Sequence, residues 1–100
     1  MFKSGHKYII GGRHFWCVGF NGEGGAILVS GGTQLTIPSN SKETYTSVGV
    51  ITPGESYTAR QTFGSIKAGE AYIVTSYDRG KVVMGNSEAL PLEVFAALFH

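Results

Sequence analysis

His14-Phe15-Trp16-Cys17-Val18-Gly19-Phe20 is the stretch that decides the class of fold. Trp16, Val18 and Phe20 fall on one side at a period of two, and Phe15 and Cys17 fall on the other. A period of two marks a strand, because successive side chains of extended backbone point to opposite faces. Apolar residues on both sides predict a strand covered on both faces, either central in a sheet or curling through a barrel. Trp16 is expected to be buried.

Working outward, the neighbours read the same way. Lys7–Ile10 is a short candidate strand closed by Gly11-Gly12. Asn21-Gly22-Glu23-Gly24-Gly25 reads as a hairpin loop, since Asn-Gly tolerates the positive φ that tight turns need. Ala26–Ser30 is a buried strand, Gly31-Gly32 turns the chain, Thr33–Ile37 follows, and Pro38-Ser39-Asn40-Ser41 is a loop. Glu43–Thr52 and Glu55–Thr62 flank Pro53-Gly54 and predict a hairpin with Val50 opposite Tyr57 and Val48 opposite Ala59. Pro-Gly favours a type II turn, whose twist suits a two-residue hairpin poorly, so a shifted register or a wider loop stays open. Ala71–Tyr77 and Lys81–Met84 form a further hairpin around Asp78-Arg79-Gly80.

The end changes period. Ser87 suits an N-cap, Pro91 a first helical position, and Leu92, Phe95 and Phe99 recur at helical spacing. Pro91–Phe99 is read as a short terminal helix, with a last strand as the alternative. The expected fold is a single mainly β domain over residues 1–100. It is a small antiparallel barrel or sandwich of about seven short strands with a short C-terminal helix. A weak internal repeat, 5–40 and 65–99, aligns the strand at Trp16 with the strand at Ile73.

Composition narrows the function classes. Only 15% of residues are charged, and the net charge is +1, so bulk charge does not mark a polyanion binder. The charges are uneven: Lys3, His6, Lys7, Arg13 and His14 all precede the first acidic residue, Glu23. Cys17 is the only cysteine, which rules out an intrachain disulfide and suits a reducing cytoplasm. Met1-Phe2-Lys3-Ser4-Gly5 lacks a basic region followed by an apolar one, so no secretory signal is expected. No apolar run approaches the roughly 20 residues that span a membrane, so no membrane partner is expected either.

No catalytic or metal signature emerges. Asp78, the only aspartate, sits in a turn where aspartate is common, and His6, His14 and His100 are far apart. Three scattered histidines and one cysteine have no metal-ligand spacing. Cys17 reads as a small buried hydrophobe. The glycine-rich run Gly19–Gly25 lacks a phosphate-loop pattern and has no helix after it. No enzyme activity and no cofactor are therefore expected.

Two groups of binding residues stand out. Lys3, Lys7, Arg13 and His14 lie near Tyr8, Phe15 and Trp16, a mix that small β-barrels use to hold single-stranded nucleic acid. Val94, Phe95, Leu98 and Phe99 belong to the most continuously apolar segment, in which Glu93 is the only charge. A helix burying Leu92, Phe95 and Phe99 displaces Val94 and Leu98 around its axis, which predicts a homo-oligomer interface.

Short strands, a proline and a closing apolar segment resemble small SH3-like β-barrel modules of the kind found in phage or mobile-element accessory proteins. No signature residue accompanies the resemblance. It implies a non-catalytic binding module acting through protein–protein contact, such as an inhibitor of a host protein. Two other expectations stand beside it: a single-stranded nucleic-acid-binding barrel, and a small-ligand (nucleotide) binding protein with its pocket at an oligomer interface.

Overall fold

The computed structural model describes residues 1–100. It contains nine strands and one helix: β1 (His6–Ile10), β2 (Arg13–Phe20), β3 (Ala26–Ser30), β4 (Thr33–Ile37), β5 (Thr46–Val50), β6 (Ser56–Thr58), β7 (Ala71–Asp78), β8 (Lys81–Met84), β9 (Ala89–Pro91) and α1 (Leu92–Leu98). The strands make two antiparallel sheets, in the orders β4-β3-β2-β1-β5 and β6-β7-β8-β9. The mainly β expectation holds, with nine strands in place of about seven and no closed barrel. Helix α1 touches β2 and β3 of the first sheet and β8 and β9 of the second, and so joins them.

The decisive strand β2 is central in its sheet, as its two apolar faces require. One face carries Trp16 and Val29 into a core shared with Val74, Val82, Met84 and Leu90 of the second sheet and with α1. The other carries Phe15, Cys17 and Leu28 into a smaller core with Tyr8, Ile10 and Ile37. Phe20 departs from the expected alternation. Cys17 pairs with Leu28 but Gly19 pairs with Ile27, so Val18 is an extra, bulged residue. The bulge shifts the alternation by one, and Phe20 ends 48% exposed, away from Trp16.

The expected hairpin across Pro53-Gly54 does not form. β5 pairs with β1, setting Val50 opposite His6, and β6 pairs with β7, setting Tyr57 opposite Tyr72. Pro53-Gly54 is instead the crossing between sheets, where the Gly54 N–H donates to the Val74 carbonyl at 2.7 Å. Pairing with β1 and β7 gives each strand a ladder partner without forcing a type II turn into a tight hairpin. Val48 and Val50 are then 44% and 41% exposed at a sheet edge, and Ile51 is the buried residue of the segment.

The Ala71–Met84 hairpin is as expected, closed by Arg79 and Gly80 at φ 52° and 75° with Asp78 opposite Lys81. Ser87 does not cap the helix. It sits in a turn at φ 69°, because Ala89–Pro91 pairs with Lys81–Val83 as a ninth strand before α1 begins. Pro91, at φ −57° and ψ 150°, is the residue before the helix and not its first member.

Both halves of the chain run as four-strand meanders, β1-β2-β3-β4 and β6-β7-β8-β9. A turn recurs within them that the sequence alignment by strands did not single out. Lys3-Ser4-Gly5-His6-Lys7-Tyr8 and Lys67-Ala68-Gly69-Glu70-Ala71-Tyr72 share one hydrogen-bond pattern. The N–H of each lysine donates to the tyrosine hydroxyl five residues on, at 2.8 Å in both. The glycines sit at φ 82° and 88°, where a side chain is strained. The recurring unit matches β1 to β7, whereas the expected repeat matched β2 to β7.

Candidate functional site

The site lies at the end of the first sheet where its glycine turns meet the end of α1. Lys7 comes from β1. The β1–β2 register puts it opposite Trp16, and its Nζ stands 5.3 Å from the centre of the indole ring. Arg13 and His14 open β2 just after Gly11-Gly12. The Arg13 Nη2 donates to Thr33 Oγ1 at 3.1 Å, and its guanidinium lies 5.9 Å from the Phe15 ring centre. Two contacts therefore hold one guanidinium on the rim.

The other side of the site is built by the chain beyond β6 and by the residues after α1. A helix leaves its last carbonyls without intrahelical partners. Here tertiary donors supply them: the Gly31 N–H to Ala96 at 3.4 Å, the Arg60 N–H to Leu98 at 2.7 Å, and the Trp16 Nε1–H to Phe99 at 2.7 Å. Those bonds bring Arg60 and His100 to the first sheet. The Arg60 Nε donates to the His100 carbonyl at 3.3 Å. His100 lies over Gly31, where an added Cβ would stand 2.8 Å from the ring Nε2. Gly31 is at φ 60°, so both the space and the backbone conformation call for glycine.

The result is a surface cavity of about 400 Å³ into which Lys7, Arg13, His14, Arg60 and His100 converge. Ser30, the only buried polar residue of the chain, completes its wall with Gly12. No hydrophobic side chain and no side-chain carboxylate lines it. The chain's single ion pair, Arg79 with Asp78, lies elsewhere on an exposed turn. Burial, then the Arg60 charge, lowers the Lys7 pKa. Burial, then Arg60, Arg13 and Lys7, holds His100 below the ordinary imidazole value. Like charges gathered in one cleft therefore disfavour their own protonation.

Three of the four basic residues expected at a binding face, Lys7, Arg13 and His14, meet here. Lys3 does not line the cavity; it stands in the recurring turn, on the chain before β1. The aromatic partners expected for nucleic acid are not available, because Tyr8, Phe15 and Trp16 are all buried. Arg60 and His100 were missed as members of the site, and no local spacing pointed to them.

The C-terminal segment lies largely inside the fold. Phe95, Leu98 and Phe99 are buried in the chain's own core, and Val94 is half-buried against it. They form no exposed patch for a second subunit, because α1 sits between two sheets and is covered on more than one side. Cys17 is buried, and burial pushes its thiol pKa up, the state of an inert thiol. A second cavity of about 330 Å³, lined partly by Phe2, Phe20, Ile37 and Tyr45, gathers no cluster of cations. No helix is long and apolar enough to cross a membrane.

No protein-family model, no curated protein and no solved structure matches this chain.

The charge cluster has a measurable consequence without any ligand. Folding lowers the His100 pKa, so the folded chain binds a proton there less readily than the unfolded chain. Stability is then lost as pH falls below 6.5, the ordinary imidazole value. The side chains that share the cavity with His100 are Lys7, Arg13, His14 and Arg60, and none of them is acidic. Melting curves at pH 7.5 and pH 5.5 should show a smaller drop for His100→Asn than for the unmodified chain. Equal drops in the two proteins would remove His100 from the charge cluster.

Proposed function

We propose that this protein is a non-catalytic binding module whose ligand is a phosphate-bearing anion held by Lys7, Arg13, His14, Arg60 and His100. The observation that carries the proposal is the convergence of five basic side chains from separate segments on one cavity with no side-chain carboxylate. Gathering like charges costs free energy, and an anion reverses the sign of that cost. Charge-assisted hydrogen bonds from guanidinium groups supply geometry as well as charge.

Other functions fit less well. A strand-binding barrel needs exposed aromatic platforms beside its cations, and the nearby aromatics are core residues. A second-subunit interface was expected at the C-terminal segment, where Phe95, Leu98 and Phe99 are internal. A cavity with convergent polar groups suits a small ligand. One buried, unpaired thiol suits a reducing compartment such as the cytoplasm.

Titration with inorganic phosphate at low salt tests the proposal. Amide resonances of Gly12, Arg13, Ser30 and Gly31 should shift together, and the melting temperature should rise with phosphate concentration. Arg13→Gln with Arg60→Gln should weaken binding by at least about tenfold, since a hydrogen bond to a charged group contributes roughly 1.5–3 kcal/mol. Binding that survives the double substitution, or shifts that map to the other end of the sheet, would place the ligand elsewhere.

A further inference from the structure

We infer that the anion this cavity takes is a diphosphate, two phosphoryl groups joined through one oxygen, bound with indifference to whatever the diphosphate is attached to. The inference rests on the proposed anion site and adds the chemical class of its ligand.

Two separately anchored guanidinium groups are the first observation. Arg13 is fixed from the β4 side through Thr33, and Arg60 is fixed from the α1 side through the His100 main chain. A guanidinium fork matches one phosphoryl group through two parallel hydrogen bonds. Two forks anchored on different elements are matched by two phosphoryl groups, not by one.

Charge and size agree with this. The residues that line the cavity carry two guanidiniums, one ammonium and two imidazoles. That is more positive charge than a single phosphate needs. The volume of about 400 Å³ equals roughly a dozen waters at about 30 Å³ each, which leaves most of it empty around one phosphate.

The attached group is left unread because of the wall. No apolar side chain and no Phe, Tyr or Trp lines the cavity, and its planar groups, the His14 and His100 imidazoles and the two guanidiniums, are the ones that take the phosphoryl oxygens, so no platform is left for a nucleobase. The same geometry disfavours a polymer. A nucleic-acid strand spaces single charges along its backbone, about one per 3.4 Å in duplex form. It is held by a track of cations, whereas these cations line a single cavity and Lys3 lies outside it. The ligand's charge is therefore concentrated, as in free diphosphate or a terminal diphosphate ester.

Calorimetry on the unmodified chain at low salt distinguishes these ligands, using inorganic phosphate, inorganic pyrophosphate, adenosine diphosphate and a short oligothymidylate. Pyrophosphate should bind at least about tenfold more tightly than phosphate, through the added charge-assisted hydrogen bonds. Adenosine diphosphate should match pyrophosphate within about threefold, because the base adds no contact. The oligonucleotide should bind more weakly than either. Arg60→Lys keeps the charge but loses the fork, and should bring pyrophosphate affinity down toward that of phosphate while the melting curve stays cooperative.

Equal affinity for phosphate and pyrophosphate would overturn the diphosphate and leave the anion site standing. Adenosine diphosphate binding far more tightly than pyrophosphate would overturn the indifference to the attached group. An oligonucleotide binding most tightly would point to a cation track. Silence from all four probes would overturn the anion site itself.

Discussion

Trp16→Ala is expected to destabilise the chain by about 3–5 kcal/mol, the usual cost of truncating a buried large aromatic side chain. Trp16 is 1% exposed and packs edge-on against Phe95 and Tyr57, with ring centres 5.4 and 6.0 Å away. Its indole N–H also donates to the Phe99 carbonyl at 2.7 Å, so one side chain fills the shared core and closes the end of α1. A domain of this size has roughly 5–15 kcal/mol in total, so the variant should melt more than about 12 °C lower or fail to fold. Trp16→Phe keeps one ring but removes the donor and the second ring of the indole. It should cost less, about 1–3 kcal/mol, for a buried carbonyl left without a partner. A cooperative Trp16→Ala melt at the unmodified temperature would sink the account of the core.

The second large effect separates two views of the C-terminal segment. Leu98 is 4% exposed among the residues that join the sheets. Leu98→Lys loses at least the roughly 2–5 kcal/mol of a truncated aliphatic side chain, and desolvation of an unpaired ammonium adds several more. The variant should unfold. Val94→Lys should remain folded, because Val94 is only half-buried, at the margin of the core. Circular dichroism with light scattering on both variants checks this. A folded Leu98→Lys chain of lower mass than the unmodified protein would restore the subunit interface that the sequence suggested.

Much of the sheet structure was legible because its cues are local. Thr33–Ile37, Ala26–Ser30 and Lys81–Met84 have the bounds expected from periodicity and flanking glycines. The burial of Trp16 followed from the same alternation. Where cues competed, reading by period failed. Phe20 was set on the wrong face by a one-residue bulge, which no side-chain pattern announces. Val48 and Val50 were paired across Pro53-Gly54 because adjacency in sequence was the only partner information present. In the folded chain β1 and β7 compete for those strands and take them.

The candidate site shows the division most sharply. The sequence by itself determined a β domain, its strongest strands, an apolar closing segment legible as helix or strand, and a basic run near the start that includes Lys7, Arg13 and His14. Each of these is written in contiguous residues, through a period of two, a turn glycine or a run of like charge. Only the tertiary structure decided that Lys3 leaves the group and that Arg60 and His100 join it. Arg60 and His100 are 40 positions apart and belong to no common period. They reach the first sheet because the carbonyls at the end of α1 take their hydrogen bonds from Gly31, Arg60 and Trp16. Trp16 and Gly31 already neighbour each other in the first sheet, whereas Arg60 follows β6 of the second, so all three reach the end of α1 together only when both sheets pack on the helix.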